Sequence, residues 1–376
     1  MPIHESRRSL LPAPHGRRST GRALARLCAL GTLLLGGVAA CDAVSEPDLS
    51  GRAALATETG SIGGTVASVS GEPIAGATVR TAGGAATTTS AGGTFQIGGL
   101  AAAARLPVTV EAPGYASTTK VYQVVAGQTL TRPIRLQPLA APVVISAGAG
   151  GVVPFAGGGQ VTIPANAFAG VSPGDPVTVR ATYIDPSSAA QLATAPGDFT
   201  ARGFDGSSAR LESFGMLDVD ARGPQGQRLE LASGQRATIS FPLRGGTGAA
   251  TRGFWSFDPQ QAVWVEEGTA TVTPTALTTT TPTVARPKNV DDRIPQVCIQ
   301  VRVLRADNVT PRPFEFVSAN GISYSGNTQG WTNTQGLVSL QVRAASQVSV
   351  AAGPVAQTVT TPATATGCPL VATLAF

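Results

Sequence analysis

Few side chains in this sequence could carry out chemistry, and its only two histidines lie before Cys41. His4 and His15 precede an apolar run, and no histidine follows it. Histidine is the commonest metal ligand and the usual general base near neutral pH. If the segment before Cys41 is removed, the mature chain has none. We therefore expect no catalytic residue, no metal site and no cofactor.

Paired carboxylates are the next candidates. Asp218 and Asp220 lie two positions apart on one predicted strand, and adjacent pairs occur at 266–267 and 291–292. Such pairs can cleave glycosidic bonds, but this chemistry requires a cleft and a raised pKa. We interpret them as solvated strand edges and turns. Calcium binding by loop carboxylates is an open alternative, although their spacing fits no known calcium loop. The loop carboxylates are Asp185, Asp198 and Asp205.

The tryptophans are the better binding candidates, because sugars stack on the apolar, polarisable face of an indole. Trp255 lies in a predicted hairpin, and Trp331 has neighbours, Gly330 and Asn333, that indicate a loop. We take Trp255 and Trp331 as candidate ligand-binding residues. Core packing is the competing interpretation for both, and the favoured one for Trp264.

Residues 1–40 have the composition of an export signal. Six arginines lie between Arg7 and Arg26, and an apolar run extends from Ala23 to Ala40. A basic flank, an apolar core and small residues before a cleavage site are typical of a secretory signal peptide. The small residues directly before Cys41 resemble the lipobox of bacterial lipoproteins, which implies that Cys41 carries lipid and becomes the mature N-terminus. A plain signal peptide, or an anchor helix with a chance cysteine, is the alternative.

Export by the Sec route is favoured over the twin-arginine route. Ser6-Arg7-Arg8 resembles a twin-arginine signal, but more arginines separate it from the apolar run. We expect an exported, membrane-anchored protein, at the cell outer membrane or cell surface rather than the inner membrane.

The apparent basicity comes from this signal. The chain has 27 basic and 22 acidic residues, of which six Arg and one Glu precede Cys41, so 21 of each remain. A nucleic-acid-binding protein needs a basic patch, and no Lys/Arg run follows Arg26. Nucleic acid is therefore excluded as a partner. Only two lysines occur, Lys120 and Lys288, and we interpret the arginine excess as genomic bias.

The mature chain has the pattern of an all-β protein. Short alternating apolar runs are separated by Gly, Pro, Asp and Asn, which is typical of antiparallel β-sandwiches. We predict tandem sandwiches after the signal segment. The expected parts are a flexible tether at 41–59, a first sandwich at 60–138, a middle sandwich at 143–284 and a last one at 294–376. The Thr-rich stretch 269–287 is either paired strands or a stiff linker, and strand followed by linker is favoured.

The first sandwich carries several motifs. They are Gly64-x-Val66, Gly71-x-Pro73-Ile74-x-Gly76-Ala77-x-Val79, Gly93-x-Phe95-x-Ile97 and Ala112-Pro113-Gly114-Tyr115. This order resembles the carboxypeptidase regulatory-like domain, a transthyretin-like sandwich that accompanies peptidases without their zinc ligands. The resemblance implies a carbohydrate-binding-like fold, shared with starch-binding-type domains. Ser90 stands where that family usually has Asp, which weakens any calcium site there.

The middle region carries an Ile-Pro-Ala-Asn-Ala element at 163–167 and a tryptophan hairpin. The hairpin contains Phe254-Trp255-x-x-Asp258 and Trp264-x-Glu266-Glu267-Gly268. This region resembles the central sandwich of cartilage intermediate layer proteins, which is related to the ankyrin and netrin-receptor sandwich. The resemblance implies extracellular scaffolding and interaction, with no enzymatic role.

The last region is predicted to be a degenerate copy of the first. Thr332–Val338 aligns with Thr89–Phe95, and the order of the three sandwiches also resembles the cartilage-type proteins. Cys298 and Cys368 form an even pair in an exported chain, which favours a disulfide. In the chain-entropy model it would stabilise the fold by about 4 kcal/mol. Two buried free thiols are the alternative.

From the sequence we expect a non-catalytic cell-envelope lipoprotein that acts as a binding or structural module, and not an enzyme. Its expected partners are the membrane, through lipid on Cys41, and a carbohydrate or an envelope protein. One alternative is a carbohydrate-binding accessory protein for polysaccharide capture. A second is a partner of an envelope peptidase or transporter. An exposed tryptophan in a loop pocket would favour the sugar, and a flat apolar face would favour a protein.

Overall fold

A computed structural model of the chain describes residues 58–244 and 246–376, which form one compact unit. Cys41 and the segment before it lie outside the described residues, as does nearly all of the predicted tether. The described chain is almost entirely β-strand, which confirms the all-β prediction. Its sheets fall into three sets along the chain, called here the first, middle and last sheet groups. No helix in these ranges is long and apolar enough to cross a membrane.

The first sheet group is a sandwich of a three-stranded and a four-stranded sheet. Its strands are β1 (Thr59–Ser68), β2 (Thr78–Thr81), β3 (Ala86–Thr88), β4 (Thr94–Ala101), β5 (Ala103–Glu111), β6 (Thr118–Val124) and β7 (Thr129–Leu136). The sheet orders are β4-β1-β7 and β3-β2-β5-β6. Val79, Val108 and Val110 are fully buried, whereas their neighbours Arg80 and Glu111 are exposed. This alternation places one face of each strand in the core, as the sequence pattern predicts.

The middle sheet group is a single sheet of eleven strands. They are β8 (Val143–Ser146), β9 (Gly151–Phe155), β10 (Gly159–Ile163), β11 (Pro176–Ile184), β12 (Thr200–Arg202), β13 (Ser208–Arg222), β14 (Ala237–Pro242), β15 (Thr251–Asp258), β16 (Val263–Val272), β17 (Ala276–Thr281) and β18 (Lys288–Arg293). The order is β8-β11-β13-β18-β15-β16-β17-β14-β10-β9, with β12 beside β13 and β16. A bridge between Ser146 and Gly150 joins the two end strands, so the sheet curls around its own core. A short helix, α1 (Ala189–Leu192), lies between β11 and β12.

The middle sheet extends past residue 284, the predicted end of the sandwich. The Thr-rich stretch forms the end of β16 and all of β17, so the linker expected up to residue 287 shortens to 282–287. Strand β18 then lies between β13 and β15, near the centre of the sheet. Only Ile294 and Pro295 separate it from the next strand. No local pattern indicates this position of β18, because strand order depends on contacts between distant segments.

The last sheet group repeats the first strand for strand. Its strands are β19 (Gln296–Leu304), β20 (Phe316–Gly321), β21 (Asn327–Trp331), β22 (Leu337–Arg343), β23 (Gln347–Ala352), β24 (Val355–Thr360) and β25 (Leu370–Ala375). The sheet orders are β22-β19-β25 and β21-β20-β23-β24, which is the order of the first group shifted by eighteen strands. In both groups the first strand pairs antiparallel on one side and parallel on the other.

The repeat extends to single hydrogen bonds. The Thr89 hydroxyl accepts a hydrogen bond from the Ala77 amide at 2.9 Å, and the Thr332 hydroxyl accepts one from the Glu315 amide at 2.9 Å. Each hydroxyl then donates at 2.6 Å to the carbonyl three residues before that amide. The structure therefore agrees with the predicted alignment of the two turns.

Candidate binding cleft

Trp331 lies at the end of β21 rather than in a loop, and it packs into the core of the first sheet group. Its ring centroid is 5.6 Å from that of Tyr122 and 5.3 Å from that of Phe316. Its indole Nε1 donates a hydrogen bond to the Thr131 carbonyl at 3.1 Å. The side chain is 8% exposed. Trp331 therefore joins the last sheet group to the first.

Trp255 is 1% exposed and lies in a second apolar cluster, together with Phe257 and Trp264 of the middle sheet group. Val121 of the first group belongs to the same cluster. The indole Nε1 of Trp255 is 3.4 Å from the Asp291 carbonyl and donates to it. Neither Trp255 nor Trp331 presents an open ring face for a sugar. This burial favours the packing interpretation over the predicted stacking role.

Cys298 and Cys368 form the predicted disulfide. Their Cα atoms are 4.6 Å apart, and the bond spans 70 positions of the sequence. It ties β19 to the segment that leads into β25 and so closes most of the last sheet group. The alternative of two free thiols is wrong.

Three carboxylates predicted to be solvated are buried instead. Asp218 and Asp220 on β13 are each 8% exposed, and Asp291 on β18 is fully buried. The prediction of solvated strand edges is therefore wrong for these residues. The prediction rests on the general rule that charged side chains are mostly exposed. Here β13 and β18 are neighbouring interior strands of the large sheet. Residues 214–221 of β13 are buried without interruption, so both of its faces are covered.

The three loop aspartates considered for calcium each have a different partner. Asp185 pairs with Arg244 at 2.6 Å, Asp198 pairs with Arg105 at 2.7 Å, and Asp205 accepts a hydrogen bond from Ser207. Across 58–244 and 246–376, no group of three or more His, Cys, Asp or Glu side chains could hold a metal ion.

Asp198 connects the middle sheet group to the first. Arg105 of β5 donates to both of its carboxylate oxygens, at 2.7 and 3.3 Å. Burial alone would raise the pKa of Asp198, but the nearby charge of Arg210 and the hydrogen bond from Arg105 outweigh it. The pKa falls to about 2. The carboxylate is therefore ionised and paired at neutral pH.

Lys120 makes a second connection between these two groups. Its ammonium donates to the Ala193 carbonyl at 3.0 Å and to the Ala195 carbonyl, both at the C-terminal end of α1. The Thr118 hydroxyl donates to the Thr194 carbonyl, between them, at 3.0 Å. Burial lowers the pKa of Lys120, and the charge of Arg132 lowers it further. Ala193, Thr194 and Ala195 directly follow α1, and these bonds give their carbonyls partners in the first sheet group.

Each sheet group contacts the other two. The last group reaches the first through Arg132, which donates to Gln329 at 2.8 Å. It reaches the middle group through the Arg343–Glu212 ion pair. These contact residues have no recognisable local pattern, but the lysines of the chain offer one signal. The only two lysines, Lys120 and Lys288, are both buried and both hold specific partners. Their retention in an arginine-biased chain could have marked them as structural.

A cleft separates the first sheet group from the middle one, and Asp218 lies in its wall. Two adjoining depressions, of about 540 and 370 Å³, share Asp218, Glu111, Ser117 and Arg228 in their linings. We call the combined space the Asp218 cleft. Polar residues of the first group form one side, and β13 with the turn after it forms the other.

The Asp218 carboxylate has no hydrogen bond or ion pair with any described residue. Burial raises its pKa to about 6, the charge of Arg228 opposes this shift, and Asp220 adds to it. Asp220, on the same strand, differs because Arg222 pairs with it at 2.8 Å. A buried polar group without a partner is uncommon in folded proteins. Asp218 is therefore an exception in the cleft, as is the buried Thr81 hydroxyl, which lines the larger depression and has no partner either.

The comparisons with known proteins assign the first sheet group. Residues 61–137 match the carboxypeptidase regulatory-like domain. This confirms the resemblance predicted from the glycine and proline motifs. The match covers the sandwich from β1 to β7, so the carboxypeptidase regulatory-like domain supplies one wall of the Asp218 cleft.

The chain is also similar to cartilage intermediate layer protein 2. The human protein is 33% identical over 115 residues, which covers 29% of this chain and 10% of that protein. The mouse protein is 30% identical over 145 residues, or 36% of this chain and 12% of that protein. The similarity confirms the predicted resemblance. The chain matches only about a tenth of the length of these relatives.

Among solved structures, the chain aligns with the major pilin subunit of Bacillus cereus at 9% identity and a TM-score of 0.18, over 84% of this chain and 99% of the pilin. A putative membrane-associated protein of Bacteroides fragilis aligns at 9% identity and a TM-score of 0.18, over 62% of this chain and 98% of that one. At such TM-scores the likeness supports no inference about this chain.

Proposed function

We propose that this protein is a non-catalytic cell-envelope lipoprotein whose sandwiches act together as a rigid structural or binding module. The observation that carries the proposal is the mutual contact of the three sheet groups. Each pair of groups is joined by at least one buried or half-buried polar contact, such as Arg105–Asp198, Arg132–Gln329 and Arg343–Glu212. A module that displays a surface at a fixed distance and angle needs such contacts.

The short connections between groups support the same conclusion. Two residues separate β18 from β19, and residues 137–142 separate β7 from β8. Connections this short leave little room for one group to swing away from its neighbour. Buried links between the first and middle groups add to this restraint, because separation would remove the partners that Lys120 and Asp198 have across that interface.

Lipid at Cys41 would hold the module at the membrane, and the segment that follows would let it stand away from the surface. We place the protein at the outer membrane or cell surface. A carbohydrate or an envelope protein would then be bound by the displayed faces. Cartilage intermediate layer protein 2 is similar to this chain over only 10% of its own length, so its partners do not enter this proposal.

The anchoring is tested by Cys41→Ser, with Cys28→Ser as the matched control inside the segment predicted to be removed. We expect the wild-type chain and Cys28→Ser in the membrane fraction, and unprocessed or released protein for Cys41→Ser. Mass spectrometry of the tryptic peptide Cys41–Arg52 should show the mass of an attached lipid. Wild-type chain with an unmodified Cys41, or with residues 1–40 retained, would overturn the lipoprotein proposal.

A further inference from the structure

Asp218 is the exception among the buried carboxylates of the described chain. Asp198 pairs with Arg105, Asp220 pairs with Arg222, and Asp291 accepts a hydrogen bond from Asn289 at 2.6 Å. Asp218 is as buried as Asp220 but has no such partner, and it lines the cleft. An ionised carboxylate taken out of water without a partner destabilises the fold. At the wall of a cleft, such a carboxylate can instead accept hydrogen bonds from a bound ligand.

The opposite wall of the cleft is a polar sheet face. Cross-strand pairing sets Thr78 of β2 opposite Glu111 of β5, and Arg80 opposite Thr109. The Thr109 hydroxyl in turn lies 2.9 Å from that of Thr119. Side chains directly opposite each other in a sheet share a face. Hydroxyl, carboxylate and guanidinium groups are therefore interspersed across this wall.

The mixture of groups limits the chemistry of the ligand. Carboxylates such as Asp218 and Glu111 only accept hydrogen bonds, and guanidiniums such as Arg80 and Arg228 only donate them. Across both depressions, a phosphate would face three carboxylates and a simple cation would face four guanidiniums. The carboxylates are Glu111, Asp218 and Asp220, and the guanidiniums are Arg80, Arg222, Arg228 and Arg286. A hydroxyl both donates and accepts, so a ligand with several hydroxyls can satisfy every group.

Size and the remaining lining fit the same class. The larger depression, of about 540 Å³, lies within the range of small-ligand sites, roughly 300–1,000 Å³. Pro196, Pro259 and Phe257 add an apolar side to this end of the cleft. A sugar ring presents hydroxyls at its edge and C–H groups on its faces, so it matches both parts. A peptide would need apolar pockets for alternate side chains, which the polar sheet face does not offer.

We propose that the Asp218 cleft binds a saccharide, with Asp218 accepting hydrogen bonds from the sugar hydroxyls and Arg228 donating to them. This site lies between the carboxypeptidase regulatory-like domain and the middle sheet group. It is separate from the tryptophans, and it adds a specific ligand to the proposed display function.

The test uses the full chain, purified in detergent, on an array of neutral, amino and uronic-acid oligosaccharides. The variant is Asp218→Asn, and the control is Glu72→Gln, an exposed carboxylate outside the cleft whose side chain makes no hydrogen bond or ion pair within the described chain. We expect saturable binding by the wild type, about tenfold or greater weakening in Asp218→Asn, and no change in Glu72→Gln. The weakening follows because charged hydrogen bonds are stronger than neutral ones.

Loss of fold can be separated from loss of binding. Asp218→Asn removes an unpartnered charge, so its urea midpoint at pH 7 should equal or exceed that of the wild type while its binding falls. Silence of the wild type across the array would overturn the proposal, as would undiminished saccharide binding by Asp218→Asn. Binding only to peptides, even if sensitive to Asp218→Asn, would also overturn it. None of these results would bear on the Cys41 test of anchoring.

Discussion

The Trp331 indole donates a hydrogen bond to the Thr131 carbonyl at 3.1 Å, across 200 positions of the sequence. The same ring lies 5.6 Å from Tyr122, a fully buried residue of the carboxypeptidase regulatory-like domain. One side chain of the last sheet group is thus part of the core of the first. The two groups cannot separate without exposing it to water.

Trp331→Ala should destabilise the contact between these groups by about 3–5 kcal/mol, the usual cost of truncating a buried tryptophan. Trp331→Phe keeps much of the packing and loses the hydrogen bond to Thr131, so a loss of about 1–2 kcal/mol is expected. Urea unfolding and small-angle scattering of the full chain would measure both effects. An unchanged midpoint and radius of gyration for Trp331→Ala would show that the contact does not hold the groups together.

The Arg105–Asp198 pair should make stability fall in acid. The folded pKa of Asp198 is about 2, below the ordinary value of 3.8. The stabilisation is therefore present above pH 3.8 and is lost as the pH falls through 2. Asp198→Asn should lower the free energy of unfolding by about 2 kcal/mol at pH 7 and by much less at pH 2. Urea midpoints at the two pH values test this, and an equal loss at both would contradict it.

Asp218 should have the opposite pH dependence. Its folded pKa, about 6, lies above the ordinary 3.8, so the folded chain holds the proton more tightly. The stabilisation is complete below pH 3.8 and is lost as the pH rises through 6. Asp218→Asn should gain up to about 3 kcal/mol over the wild type at pH 7.5 and almost nothing at pH 3.5. A difference between the two chains that does not change with pH would be inconsistent with this assignment.

Gly93 and Gly76 provide a matched test of the turn shared by the two repeats. Both have left-handed φ angles, +72° and +69°. A Cβ at Gly93 would lie 2.4 Å from the Val66 carbonyl oxygen, whereas a Cβ at Gly76 would meet no atom within 4 Å. Gly76→Ala should cost about 1 kcal/mol and Gly93→Ala about 3 kcal/mol. Gly336→Ala should resemble Gly93→Ala, because its Cβ would lie 2.4 Å from the Val303 oxygen. Equal melting temperatures for Gly93→Ala and Gly76→Ala would disprove the close approach.

The Cys298–Cys368 disulfide should stabilise the last sheet group by about 4 kcal/mol, because it closes a loop of 70 positions in the unfolded chain. The double variant Cys298→Ser/Cys368→Ser should unfold at lower urea concentration than the wild type. Dithiothreitol should shift the wild type to the same midpoint and leave the variant unchanged. A wild-type midpoint that does not respond to reductant would refute the stabilising role.

Much of the fold was accessible from the sequence, but the burial of its polar groups was not. Alternation and glycine-rich turns located the strands from β1 to β7, and the aligned threonines identified the repeat. From the sequence, Asp218 and Asp220 are expected on the solvent-exposed face of a strand. They are buried because the carboxypeptidase regulatory-like domain lies across the cleft from the face of β13 that carries them. This contact between distant parts of the chain leaves no local pattern.

The sequence by itself determined the all-β class, the first sandwich, its repeat and the disulfide pair, because each depends on residue types at short, regular spacing. Only the tertiary structure decided that Trp255 and Trp331 face cores, and that Asp218 faces a cleft without a partner. Side-chain burial is set by which distant strands and sheet groups come together. A tryptophan or an aspartate has the same local sequence whether its outer face meets water or another part of the chain.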